Sequence, residues 1–105
     1  MSTNLNNRPT IGFLSANIHF GAARVLWPGI LDAAIVEDVN LICFPGGRLG
    51  MNIATETSRN VIYKQVDKNQ LDGLVIWTSA LAGKATPQEI IDFHQAYHTI
   101  PQVDM

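Results

Sequence analysis

The chain has 105 residues, 47% hydrophobic and 15% charged, with a formal net charge of -2. That describes one small domain with a single core, and it excludes both a disordered acidic segment and a basic surface for direct nucleic-acid binding. The single cysteine, Cys43, forms no internal disulfide, and its neighbours Ile42 and Phe44 predict a buried strand position in a reducing compartment.

Residues 1–8 are polar and predict a flexible head. This segment has neither the basic start nor the apolar core of a signal peptide, and no apolar run in the chain approaches membrane-spanning length. The expectation is a cytoplasmic protein with no membrane partner. Thr10 to Ser15 reads as the first strand, followed by a loop from Asn17 to Gly21. Ala22 to Asp38 then carries Val25, Leu26, Ile30, Ala33, Ala34 and Val36 at helical spacing. Pro28 and Gly29 lie inside this stretch, so the helix either kinks near Trp27 or begins at Pro28; one kinked helix is the preferred reading.

Asn40 to Phe44 predicts a second strand that ends at Pro45-Gly46-Gly47. Arg48 to Arg59 is polar and weakly periodic, which predicts a long mobile loop. Asn60 to Val66 reads as helical through Val61, Ile62, Tyr63 and Val66, with a start as early as Glu56. Leu71-Asp72-Gly73-Leu74-Val75-Ile76-Trp77-Thr78-Ser79 is the clearest strand, entered through Asp-Gly and left through two hydroxyls. After a small-residue loop, Ala80 to Ala85, Thr86-Pro87-Gln88-Glu89 forms a capping box with proline in the first turn, and the helix continues to Tyr97. Ile100 to Met105 resumes an extended pattern, and the chain stops within that fourth strand.

Strands alternating with helices mean a parallel sheet, and ligands of such sheets gather outside the carboxyl ends of the strands. Ser15, Asn17, His19 and Phe20 follow the first strand, where a ligand role competes with ordinary turn chemistry in which Asn17 caps the helix. Trp77, Thr78 and Ser79 end the third strand, where the indole could stack on a ligand or fill the core. Pro45-Gly46-Gly47 lacks the glycine spacing of a phosphate-binding loop and reads as a turn. His94 and His98 have the spacing of a helical metal pair without an acidic or cysteine partner, so no metal is expected.

Pro9-Thr10-Ile11-Gly12-Phe13-Leu14, Gly29-Ile30-Leu31-Asp32-Ala33-Ala34, Leu71-Asp72-Gly73-Leu74-Val75-Ile76 and Ile100-Pro101-Gln102-Val103 together resemble the amino-terminal lobe of the lac repressor and periplasmic sugar-binding protein superfamily. The resemblance runs from about Arg8 to Met105. It implies a three-layer α/β sandwich with a parallel sheet in order 2-1-3-4, half of a clamshell whose two lobes close over a small ligand. Residues 9–105 are then one truncated lobe, with a sugar-like ligand held by Ser15, Asn17, His19, Phe20, Trp77, Thr78 and Ser79. No cofactor, metal or catalytic residue is implied. An output domain in a parent protein is implied: a kinase, a diguanylate cyclase or a DNA-binding unit. The short segment before the first strand leaves no room for a DNA-binding headpiece and favours an output domain that follows. The edge of the last strand and the apolar surface left by a missing lobe predict a homodimer, through the first helix around Val25 and Trp27 or through the edge of strand two or four.

Cys43-Phe44-Pro45-Gly46-Gly47 also resembles the Pro-Gly-Gly turn of glutamine amidotransferase-like enzymes, where it helps build an oxyanion hole. Those enzymes carry their cysteine on a sharp elbow flanked by glycines, and this chain has none. A receiver-like signalling domain would need clustered acidic residues after the first strand, which are absent.

Overall fold

The computed structural model describes residues 8–16, 21–68 and 71–105. The expected flexible head, apart from Arg8, lies outside the described residues. The elements are β1 (Thr10–Ala16), α1 (Gly21–Val36), β2 (Asn40–Gly46), α2 (Ala54–Arg59), a 3₁₀ helix (Asn60–Lys68), β3 (Gly73–Ile76), α3 (Thr78–Leu81), α4 (Pro87–Gln95) and β4 (Gln102–Asp104). The four strands form one sheet in order β2-β1-β3-β4, and every pairing is parallel. The α/β class and the 2-1-3-4 order are those expected from the sequence.

Register sorts the side chains into two faces, because residues paired across parallel strands point the same way and neighbours along a strand point opposite ways. Leu14 lies beside Phe44 and Ile76. With Leu74 they meet Tyr63 and Val66 of the 3₁₀ helix, Leu81 of α3 and Tyr97 just beyond α4, which makes the main core. Phe13, paired with Cys43 and Val75, points to the other face, where its ring stacks on Trp27 of α1 at 5.6 Å. Helices on both faces make three layers. Each core side chain buried this fully contributes about 1.5–3 kcal/mol relative to leaving it exposed.

The Asp72-Gly73 signature is a clasp between strands. The Thr10 amide donates to Asp72 Oδ2 at 2.7 Å, and the Asp72 amide donates to the Thr10 carbonyl at 2.8 Å. This pair sets the register of β3 on β1 at the first residue. At the end of α1, Asp38 takes a left-handed φ of 57°, and the Val39 amide closes on the Ala34 carbonyl at 3.0 Å. A short acidic side chain tolerates that conformation, so α1 stops without a glycine.

Three sequence readings need correction. Pro45 and Gly46 extend β2 instead of ending it, paired with Ser15 and Ala16. The sheet order explains this: β2 is an edge strand, where proline's missing N–H removes no ladder bond. Arg48 to Arg59 is not one long loop, because α2 occupies its second half and backbone bonds fix its first. The residues after Ser79 are helical through Leu81 instead of starting a loop. Helix α1 runs through Pro28 as a single element, and the Thr86 capping box forms with both of its hydrogen bonds.

Candidate functional site

In this sheet the chain leaves β1 toward β2 on one side, whereas β3 continues toward β4 on the other. The carboxyl ends of β1 and β3 therefore flank the switch point at which open parallel sheets bind ligands. Ser15 is at the end of β1, but it is 0% exposed, and its Oγ donates to the Ala16 carbonyl at 3.3 Å. It cannot touch a ligand here, which corrects the sequence expectation. Asn17, His19 and Phe20 lie outside the described residues.

Tyr63 closes this end of β1 and β2 from the opposite face, among Leu14, Ala16 and Phe44. Its ring lies against Gly46 so closely that a Cβ there would collide with the ring. Its hydroxyl donates to the Gly47 carbonyl at 2.8 Å and approaches the Ser15 carbonyl at 3.4 Å. Asn60 accepts from the Gly47 amide at 2.9 Å. Both polar groups of Gly47 are thus taken from within the chain, and its N–H is not available to an anion.

At the end of β3, the Trp77 amide donates to the Leu14 carbonyl at 3.0 Å, and its half-buried ring lies 6.4 Å from Phe13. The indole therefore packs partly into the α1 face of the sheet and keeps part of its surface open. Thr78 meets His94 Nε2 at 2.8 Å, while His94 Nδ1 meets Gln102 Oε1 at 3.1 Å and Gln102 Nε2 donates to the His94 carbonyl at 2.9 Å. Because the Gln102 nitrogen is committed to a carbonyl, its oxygen is the acceptor for a proton on Nδ1. That tautomer leaves a lone pair on Nε2, so the Thr78 hydroxyl is the donor. Thr78 is thereby engaged in tying α3, α4 and β4 together. Both ring nitrogens of His94 are also engaged, so it offers no electron pair to a metal in this arrangement. Ser79 is exposed, with its amide 3.4 Å from the Met105 carbonyl.

The loops beyond β2 and α3 are stitched to each other. The Leu49 amide donates to the Leu81 carbonyl at 2.7 Å, and the Lys84 amide donates to the Leu49 carbonyl at 3.2 Å. Gly50 and Gly83 hold left-handed φ angles of 67° and 52°, each against the backbone of the other loop. A side chain at either position would meet both backbone strain and a neighbouring main chain.

Cys43 sits on β2, half-buried, short of the full burial expected. Burial pushes its thiol up from 9.0 to about 11, which keeps it protonated near neutral pH. A concavity of about 580 Å³ lies along α4 and β4, lined by Ile90, His94, His98, Pro101, Gln102 and Asp104 among others. Tyr63, Asn60 and Gln102 shape this end of the molecule and were not among the sequence candidates, and His94 was weighed there only as half of a helical metal pair. The only available signals were polar side chains punctuating apolar helical patterns. Comparison with known protein families, curated proteins and solved structures finds no match to the chain.

Proposed function

We propose that the chain supplies one wall of a small-molecule, sugar-like ligand sensor, in a transcriptional regulator or signal-transduction protein, and performs no catalysis. The observation that carries this reading is the parallel sheet in order 2-1-3-4, whose switch point between β1 and β3 is bordered by half-buried Trp77 and exposed Ser79. An indole packs on the apolar face of a sugar ring, and a hydroxyl reaches its edge. Ser15 is buried and Thr78 is engaged with His94, so few polar groups at this wall are left for a ligand.

The rival amidotransferase-like reading is weaker for two reasons. Cys43 lies within β2 and its thiol is pushed up to about 11, and the Gly47 N–H that would serve an oxyanion hole is taken by Asn60.

The test is a titration of the 105-residue chain with a panel of hexoses, pentoses and nucleosides, followed by two-dimensional amide and indole NMR. The Trp77 indole and the Ser79 amide should shift together for at least one sugar. The dissociation constant should be no tighter than about millimolar, equivalent to roughly 4 kcal/mol. If no panel member moves the Trp77 indole at several times that concentration, the reading is wrong.

A further inference from the structure

Helix α1 turns one stripe toward the sheet. Trp27, Ile30 and Ala34 recur along it at helical spacing, and Glu37, whose amide closes on the Ala33 carbonyl at 2.9 Å, follows in the same line. The stripe tapers, because Trp27 fills its place by stacking on Phe13 at 5.6 Å whereas Ala33 and Ala34 each end at a single methyl. The helix cannot settle closer to make up the difference, since it is held on both sides of the gap. The ring stack props it off the sheet, and beyond Ala34 the left-handed Asp38 turns the chain into β2 with the Val39 amide on the Ala34 carbonyl at 3.0 Å. The sheet does not rise to meet it: level with Ile11 the next strand presents Gly73, and Ile11 lies across it with Cδ1 3.2 Å from where a Cβ would stand.

What remains between the two is a recess of about 400 Å³. Ile11, Leu41 and Val75 form its sheet wall, Ile30 and Ala34 its helix wall, and Met105 borders it beside β3. Its size falls within the roughly 300–1,000 Å³ of small-molecule sites, which are mostly apolar with one or two placed polar groups. The placed group here is Glu37, the only charged side chain lining the recess among the described residues. The adjacent Asp38 already has its cation, Arg8 at 3.2 Å. Ile11 and Leu41 stand near the amino ends of β1 and β2, so this recess is separate from the switch point, which Trp77 and Ser79 border at the carboxyl ends of the strands.

We propose that the recess between α1 and the sheet binds a small aryl-alkyl amine, with its ring between Ala34 and the sheet wall and its ammonium group at Glu37. The lining decides the class. Its walls are aliphatic apart from the Phe13 ring and the Met105 thioether, and both of these favour an aromatic body, the first by ring packing and the second by a sulfur contact. An ionised carboxylate only accepts hydrogen bonds, so Glu37 matches a head group that donates and carries positive charge. A fatty or aryl carboxylic acid of the same size meets repulsion at that point, and an alcohol meets neither repulsion nor an ion pair. A sugar finds nothing here for most of its hydroxyls.

Methyl NMR of the 105-residue chain at neutral pH, titrated with phenylbutylamine, phenylbutanol and phenylbutyrate, tests the assignment. The amine should move the methyls of Ile11, Ile30, Leu41 and Val75 together, with a dissociation constant of about 1 mM or tighter, while Leu74 and Leu81 on the other face stay still. It should bind about fivefold more tightly than the alcohol, the worth of a partly exposed ion pair, and the acid should bind more weakly than either. Glu37→Gln, an exposed and structurally neutral change, should bring the amine level with the alcohol. Ala34→Met fills the recess from the helix side and should weaken all three ligands about tenfold or more, as expected for loss of the apolar contact. No movement of these methyls at about 10 mM amine, well above that constant, overturns the proposal. So does equal affinity for the three head groups, or amine binding that either substitution leaves unchanged. If the same methyls shift on dilution of the protein alone, a second copy of the chain occupies the recess and the proposal is likewise wrong.

Discussion

Replacing Tyr63 with phenylalanine isolates the contact that closes the carboxyl ends of β1 and β2. The ring remains, with its edge contact to Phe93 at 5.3 Å and its packing against Gly46. What is lost is one hydroxyl, which donates to the Gly47 carbonyl at 2.8 Å and lies 3.4 Å from the Ser15 carbonyl. Tyr63 is only 4% exposed, so water has no path to replace the lost donor. A buried carbonyl left without its partner costs about 1–3 kcal/mol, more than the net value of an ordinary hydrogen bond. Taking about 2 kcal/mol as the centre, the melting temperature of a domain this size falls by roughly 8–15 °C. Urea denaturation should show a lower midpoint with an unchanged slope, because the substitution leaves the surface exposed on unfolding almost the same. Amide exchange adds a local check: Gly47 and Leu49 should lose protection while Leu74, in the middle of the sheet, keeps it. A stability loss below about 0.5 kcal/mol, the scatter of an ordinary surface substitution, would show that the hydroxyl does not hold this end closed.

Gly50→Ala should cost about 2 kcal/mol or more, because the left-handed backbone is strained for alanine and the new methyl meets the Ala85 backbone; the Leu49 and Lys84 amides should exchange faster, and unchanged exchange would refute the stitching of the two loops. Cys43 should make folding stability fall with rising alkalinity. Its folded pKa of about 11 lies above the ordinary 9.0, so the contribution is fully present below pH 9 and is lost as the pH climbs toward 11, where the unfolded chain has already released its proton. Denaturation curves for Cys43→Ala should lack that alkaline slope and leave any ligand response intact; an identical slope in the variant would place its origin elsewhere.

The sequence made the layer order legible because each element carries a local signal. Val, Ile and Phe runs bounded by Gly, Pro and Asp mark strands, and a Thr-Pro-x-Glu box marks a helix start without reference to the rest of the chain. The errors fall where a local signal depends on a neighbour. Pro45 ends a strand by its own chemistry, but not when that strand is the sheet's edge and the missing N–H faces outward. Arg48 to Arg59 has little periodicity, yet Leu49 is fixed by bonds to Leu81 and Lys84, more than thirty residues away.

The same dependence decides the site. Ser15 and Thr78 were singled out because hydroxyls at the carboxyl ends of parallel strands commonly face ligands. Whether a hydroxyl faces a ligand depends on what else reaches that end of the sheet, and here His94 arrives from 16 residues beyond Thr78 to take its hydroxyl, while Tyr63 arrives from 48 beyond Ser15 to hold its carbonyl and the Ser15 hydroxyl turns to Ala16. Neither partner is marked by periodicity, since a polar atom at the tip of an otherwise apolar ring reads as core. Trp77 and Ser79 pass the test that Ser15 and Thr78 fail, because part of the indole and the Ser79 side chain remain open. If the chain is the sensor wall proposed, so few open polar groups hold a sugar weakly by themselves. The strength and selectivity of binding must then come from groups that approach the switch point from outside this sheet, and the Trp77 indole is where their arrival would register first.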